Sequence, residues 1–408
     1  MTAADNRDAV PRTGIRIDAL DGIRGLAALF VVLHHCWLMS FPGFPAATGP
    51  VWLGWLAYGH FAVVVFITLS GFSLAVSPAR NGWRLGGKAR FAQRRAWRIL
   101  PPYWAALVLS LIVAWTIVPQ PGSEPPTLKS VVVYGLLLQD IVGSPVPNGA
   151  FWSIAVEAQL YLVFPVLLLL MRRLGTVATL TAVTVPVVTI GLLAPHVPVV
   201  DDLRRLTPQF AVLFALGLVA AGIIAAGDRL RRLPWHWLAA TAILPVLLVI
   251  VVRGSAWTVG NFYWVDIAIG PAAALLLAAI ATGRPASLVR LPGTGPLRSL
   301  GRFSYSLYLI HSPIVVVVAL KVVGPYVGPG LPAFAATAAL AVTASLLVAR
   351  LFAAVFEIPF QRYRSWAQIR AAVAQRAARR RDVPAPAPAG DAAYDGAVDS
   401  VPRSAIER

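Results

Sequence analysis

A histidine or a carboxylate inside an apolar helix is expensive to keep there, so each one is a candidate for chemistry. The chain places several such groups at regular spacings. In LDGIRGLAALFVVLHH, Asp21 stands one turn before Arg24, and His35 follows eleven residues later. Eleven residues at 100° each return within about 20° of the starting direction and rise roughly 16 Å, so Arg24 and His35 share a helix face. Imidazole is the natural proton acceptor near neutral pH, which makes His35 a candidate general base. Arg24, at the end of its span, fits a polar stripe or a snorkelling side chain equally well. In FWSIAVEAQLYLVFP, Glu157 lies about two turns into an apolar run with Tyr161 one turn below it, and a carboxylate at that depth needs a partner or a proton. His311 in GRFSYSLYLIHSP has Ser304 and Tyr308 near its own face, while Tyr305 points toward another helix.

Two further features suit a ligand. Arg95 and Arg98 in RRAWRILPPYW are one turn apart at the mouth of a span. A positive-inside cluster explains their charge, and paired guanidinium groups also suit phosphates, which arginine grips bidentately. Ser70-Gly71 in FITLSGF serves either close helix packing or close approach of a ligand to the backbone. Asp266 and Glu357 lie near span ends and read as interfacial, and His60, His196 and His236 at loop edges receive no role. Cys36 is the only cysteine and reads as a small packed residue; no cysteine–histidine spacing suits zinc, so no metal is expected.

The elements that must hold these groups follow from composition. The 408 residues are 58% hydrophobic and only 13% charged, with mean hydropathy +0.72 and net charge +18. Soluble domains carry about 25% charged residues, so a soluble multidomain enzyme and a disordered chain are both excluded. Apolar stretches near the roughly 20 residues needed to cross a bilayer recur at about 19–38, 58–77, 101–118, 151–171, 175–194, 207–227, 235–252, 264–282, 303–323 and 331–356. A short interrupted stretch at 128–142 reads as re-entrant or interfacial. The expected fold is therefore an all-α polytopic membrane bundle of about ten spans. With the N-terminus inside, 29 of the 35 basic residues fall on inner segments, which places both termini in the cytoplasm. That distribution excludes a nucleic-acid binder, whose charge would gather on one domain. The expected organisation is a cytoplasmic segment 1–18, a membrane domain 19–360, a basic cytoplasmic helix 361–381 and a disordered tail 382–408.

These motifs, in this order across about residues 18–360, resemble acyltransferase family 3 of integral membrane proteins. The resemblance implies a ten-helix enzyme that moves an acyl group, commonly acetyl from acetyl-CoA, to a hydroxyl of a surface carbohydrate, glycolipid, peptidoglycan or secondary metabolite. Arg24 and His35 match the family's first-helix pair, Arg95 and Arg98 its Arg-x-x-Arg motif, and Glu157 its acidic residue. Acyl-CoA is then a co-substrate, with no permanently bound cofactor. The expected form is the short one, without the SGNH hydrolase-like domain many members carry. Joined to the residue reading, the resemblance gives catalytic roles to His35 and Glu157, and acyl-CoA contacts to Arg95, Arg98, Ser70 and Gly71. Supporting roles fall to Asp21, Arg24, Tyr161, Tyr305, Tyr308 and His311, with Glu157 orienting His35. The expected location is the cell membrane. The rival expectation is a proton-coupled transporter of a small solute, in which the same buried groups relay protons.

Overall fold

The computed structural model describes residues 18–46, 49–363, 365, 367–371 and 374–375. The chain divides into two units, Met1–Arg362 and Tyr363–Arg408. Residues 1–17 of the expected segment 1–18, part of the expected basic helix 361–381 and the tail 382–408 lie outside the described residues. Within the first unit all regular structure among the described residues is helical. The elements are α1 (Asp18–Ser40), α2 (His60–Arg80), α3 (Lys88–Thr116), α4 (Leu128–Gly135), α5 (Trp152–Leu193), α6 (Gln209–Ala225), α7 (Trp235–Gly260), α8 (Phe262–Thr282), α9 (Gly295–Arg302), α10 (Ser304–Val317) and α11 (Leu331–Phe352). Helix α10 runs on through a π turn at Val318–Val323, and α11 through another at Ala353–Glu357 into Ile358–Arg362.

Among the described residues eight helices are long and apolar enough to cross a membrane, or nine if the bent pair Pro198–Leu206 and α6, angled at 46°, is one span. The difference from ten expected spans has a structural origin. Helix α5 is 42 residues, about 63 Å at 1.5 Å per residue, twice a bilayer core. It is broken at Gly175, with φ 80° and ψ −178°, so its arms are the two stretches expected at 151–171 and 175–194. The 128–142 stretch folds only as the eight-residue α4, started by a reciprocal Thr127–Ser130 capping box and too short to span. Leu162, Val177, Val251 and Leu351 on the long helices are largely exposed. Such a surface would aggregate in water and is at home against lipid tails.

Helix α2 is the packing centre, lying against α6 and reaching α1 and α8. The α2–α6 contact is close because both partners carry glycine at the crossing. A Cβ on Gly71 would overlap the Phe214 carbonyl, and one on Gly217 the Thr68 carbonyl. The start of α1 meets α9 in the same way, through Gly25 and Gly301, and Gly22 packs on the Pro292 carbonyl just before α9. These crossings bring the first turns of α1, α3 and α10 to the same end of the bundle as the last turns of α2 and α11.

Candidate functional site

At that end a cavity of about 580 Å³ opens, lined by residues from α1, α2, α3, α5, α9 and α10 and by the last turns after α11. Four arginines face it, Arg24, Arg95, Arg98 and Arg302, with three carboxylates, Asp21, Glu157 and Glu357. Ser70, Tyr161, Tyr305 and Tyr308 also line it, so most sequence candidates converge on one space. Arg90 and Arg94 of the same basic run are exposed and take no part in the lining.

The arginines are held without being consumed. Arg24 donates to Ser73 Oγ at 2.7 Å and pairs with Asp21 at 3.3 Å. Arg95 lies with its guanidinium carbon 6.0 Å from the ring centres of both Phe91 and Tyr161, and its Nε is buried with no hydrogen-bond partner. Arg98 adds like charge to both Arg24 and Arg95. Close guanidinium groups with an unsatisfied donor make a site for an anion.

Deeper in the cavity, Glu157 Oε1 accepts from Ser70 Oγ at 2.7 Å and from Tyr161 at 2.6 Å. Glu157 therefore fixes α2 against α5. It does not orient His35, contrary to the sequence expectation, because its partners are hydroxyls on the cavity wall. Gly71 is also placed differently: it is spent on the α6 crossing and does not line the cavity, whereas Ser70, one residue earlier, does.

His35 and His311 do not line this cavity either. They stand behind Tyr308, whose hydroxyl is 2.6 Å from Ser153 Oγ, whose ring meets Phe66 edge-on at 5.5 Å, and whose ring centre is 5.7 Å from that of His311. His311 Nε2 is 3.2 Å from His35 Nδ1. The network fixes the protons of the neutral pair. His311 Nδ1 faces the Tyr308 carbonyl at 2.7 Å and must carry hydrogen, which leaves Nε2 as an acceptor. His35 Nδ1, 2.9 Å from the Val31 carbonyl, then carries the hydrogen shared with His311. That leaves His35 Nε2 as the free lone pair, the atom a general base needs. His34 points away and faces the Leu56 carbonyl at 2.6 Å.

Several residues escaped the sequence reading. Glu357, expected at the interface, is 3% exposed and accepts from the Ser306 N–H at 3.1 Å and its hydroxyl at 2.5 Å, capping the first turn of α10. Arg302 and Ser153 carried no signal beyond their place in the motifs, and Ser73 lies just past FITLSGF. Asp266, also expected at the interface, is fully buried, with His60 Nε2 3.0 Å from each of its oxygens. Tyr305 reaches α3, as its face suggested, and donates to the Ile99 carbonyl at 3.2 Å. Among the described residues no group of three or more histidine, cysteine or acidic side chains could hold a metal ion. Outside the spans, burial raises the Asp140 carboxyl to about 6, opposed by a hydrogen bond from Gln159 at 3.0 Å.

The profile of acyltransferase family 3, described as an acyltransferase domain, matches residues 17–350. The chain belongs to acyltransferase family 3. A Bacillus subtilis relative in this family, named "Putative peptidoglycan O-acetyltransferase YrhL", is 27% identical over 74% of this chain and 49% of its own length. The acyltransferase MdmB of Streptomyces mycarofaciens is 27% identical over 75% of this chain and 81% of its own. The O-acetyltransferase OatA of Staphylococcus aureus is 24% identical over 74% and 51% respectively. The chain thus spans about half the length of the first and third relatives. No solved structure matches it.

Proposed function

We propose that the chain is an O-acyltransferase of the cell membrane that moves an acetyl group from acetyl-CoA to a hydroxyl of a carbohydrate, glycolipid or secondary metabolite. The observation that carries this reading is the convergence of Arg24, Arg95 and Arg98 on one cavity that deepens toward Tyr308 and the His35–His311 pair. A family of acyltransferases with O-acetyltransferase relatives supports it.

In this mechanism the CoA phosphates dock at Arg95 and Arg98, and pantetheine runs past Ser70 toward Tyr308. The acceptor reaches His35 Nε2 once the Tyr308 ring swings from Ser153. His35 takes the proton as the acceptor oxygen bonds to the thioester carbonyl carbon. The carbon–sulfur bond then breaks, and the leaving thiolate takes a proton to become CoA. Tyr308 donates to the transient oxyanion. His311 positions His35 by accepting from its Nδ1. Holding both substrates in a dry cavity supplies much of the acceleration.

The test is release of CoA from radiolabelled acetyl-CoA by the purified protein with a panel of hydroxyl acceptors, beside His35→Ala. Transfer by the wild type and its collapse in the variant are expected. Transfer unchanged by His35→Ala overturns the catalytic assignment, and no CoA release with any acyl-CoA or acceptor favours the transporter.

A further inference from the structure

At the opposite end of the bundle, where α6 and α8 begin and α7 ends, lies a second cavity of about 340 Å³, within the range of small-molecule sites. It is lined by Asp201, Arg204, Arg205, Gln209, Phe262 and Tyr263. Arg204 and Arg205 are two of the few basic residues that the topology reading left on the outer side, and the arginine cavity makes no use of them.

Gln209, the first residue of α6, is 5% exposed. Its Nε2 is 3.4 Å from Asp266 Oδ2, and that carboxylate is buried against His60. A carboxylate only accepts, so the amide nitrogen faces Asp266, and the other end of the amide, Oε1, is left buried with no donor. A lining residue with an orphaned acceptor calls for a ligand N–H or O–H.

The walls narrow the chemistry. The Arg204 guanidinium lies 5.4 Å from the Tyr263 ring centre and pairs with Asp201 at 3.2 Å. Arg205 pairs with Asp202 at 3.6 Å. Each arginine is offset by the aspartate one turn earlier, so the cavity lacks the charge excess a phosphate requires. Donors and acceptors alternate beside two aromatic rings. A sugar fits that pattern, since each hydroxyl both donates and accepts and the ring offers an apolar face.

We propose that this cavity holds a saccharide unit of the acceptor, away from the hydroxyl that reacts; the proposal rests on the O-acyltransferase reading. A backbone route links it to the catalytic layer. The His34 ring fills the space where a Cβ on Gly59 would sit, and its centre is 5.2 Å from that of His35. Gly59 directly precedes His60, the partner of Asp266.

Saturation-transfer NMR on the purified full chain, with N,N′-diacetylchitobiose as probe, tests this directly. Transfer to the sugar is expected in the wild type, and at least a fivefold loss in Gln209→Leu and in Arg205→Ala, with acetyl-CoA binding unchanged. Arg205 is exposed, so the second variant decides if the first fails to fold. No transfer in the wild type, equal transfer in Arg205→Ala, or displacement of the sugar by inorganic phosphate overturns the proposal. Chitobiose held here while acetyl-CoA is never consumed leaves the sugar site standing and removes the acyltransferase reading. Acetyl transfer with an unchanged acceptor KM in both variants does the reverse.

Discussion

Two regions of this bundle bury ionisable groups and treat them in opposite ways. Around the arginine cavity the groups face open space: Arg95 keeps a buried Nε without a partner, and Glu157 uses one oxygen for both of its bonds. Where α2, α6 and α8 begin, Asp266 faces His60, which is stacked at 4.0 Å on Phe262 and at 5.7 Å on Trp152. Both regions hold charge inside a membrane bundle. For the charged groups the difference is whether the partners come from the protein or must come from a ligand; beside Asp266 it is only the neutral Gln209 amide that keeps an unpaired atom. Partner saturation, more than burial, separates binding machinery from packing.

The largest effect that tests this contrast lies between the two regions. His35→Ala is expected to lower kcat by about 10²–10⁴-fold, the usual range for a general base, with acetyl-CoA affinity retained. Steady-state kinetics on purified protein read both numbers, and a fall in acetyl-CoA affinity with kcat preserved would move His35 into the donor site. Removing His60 strikes the saturated pair. His60→Ala strips Asp266 of its main partner and is expected to destabilise the fold by about 3–5 kcal/mol, read as a lower midpoint of thermal unfolding in detergent. An unchanged midpoint would show that the pair is not a structural bond.

Arginines that wait for a ligand behave otherwise. Arg95→Ala and Arg98→Ala are each expected to raise the KM for acetyl-CoA about 10- to 150-fold, the loss of one charge-assisted interaction, with little change in the unfolding midpoint. A large loss of stability with KM intact would make them structural. The smallest effect concerns Asp140. Burial holds its folded-state carboxyl near 6, above the ordinary carboxylate value, so the folded protein favours the neutral acid. Its contribution to stability is full below about pH 4 and is lost as pH rises through about 6. The partly exposed site is screened, so the midpoint is expected to fall by about 2 °C or less across that window. Asp140→Asn should flatten that slope, and a slope of the opposite sign would contradict it.

Much of the arginine end was legible in the sequence, because helix periodicity places residues on faces. The Arg95–Arg98 turn and the Glu157–Tyr161 turn predict neighbours that the fold realises, whereas of the Arg24–His35 pair, predicted to share a face, only Arg24 lines the cavity. What the sequence could not reach were contacts between helices. His311 became the partner of His35 only through the packing of α10 against α1. Glu157 went to Ser70, and Gly71 went to α6, because the α2–α6 crossing decides which side of α2 faces the cavity. Asp266 and Glu357 looked interfacial because position along a span says nothing of what lies beside it. The two arms of α5 were visible as separate apolar runs, although their helical continuity through the Gly175 break was not.

The central claim is that the arginine cavity is the donor site. Equilibrium binding of radiolabelled acetyl-CoA to the purified wild type and to the Arg95→Ala, Arg98→Ala double variant tests it most directly. The account predicts saturable binding, competed by free CoA, that weakens at least 100-fold in the double variant while the fold survives. Equal binding by the two proteins would contradict it.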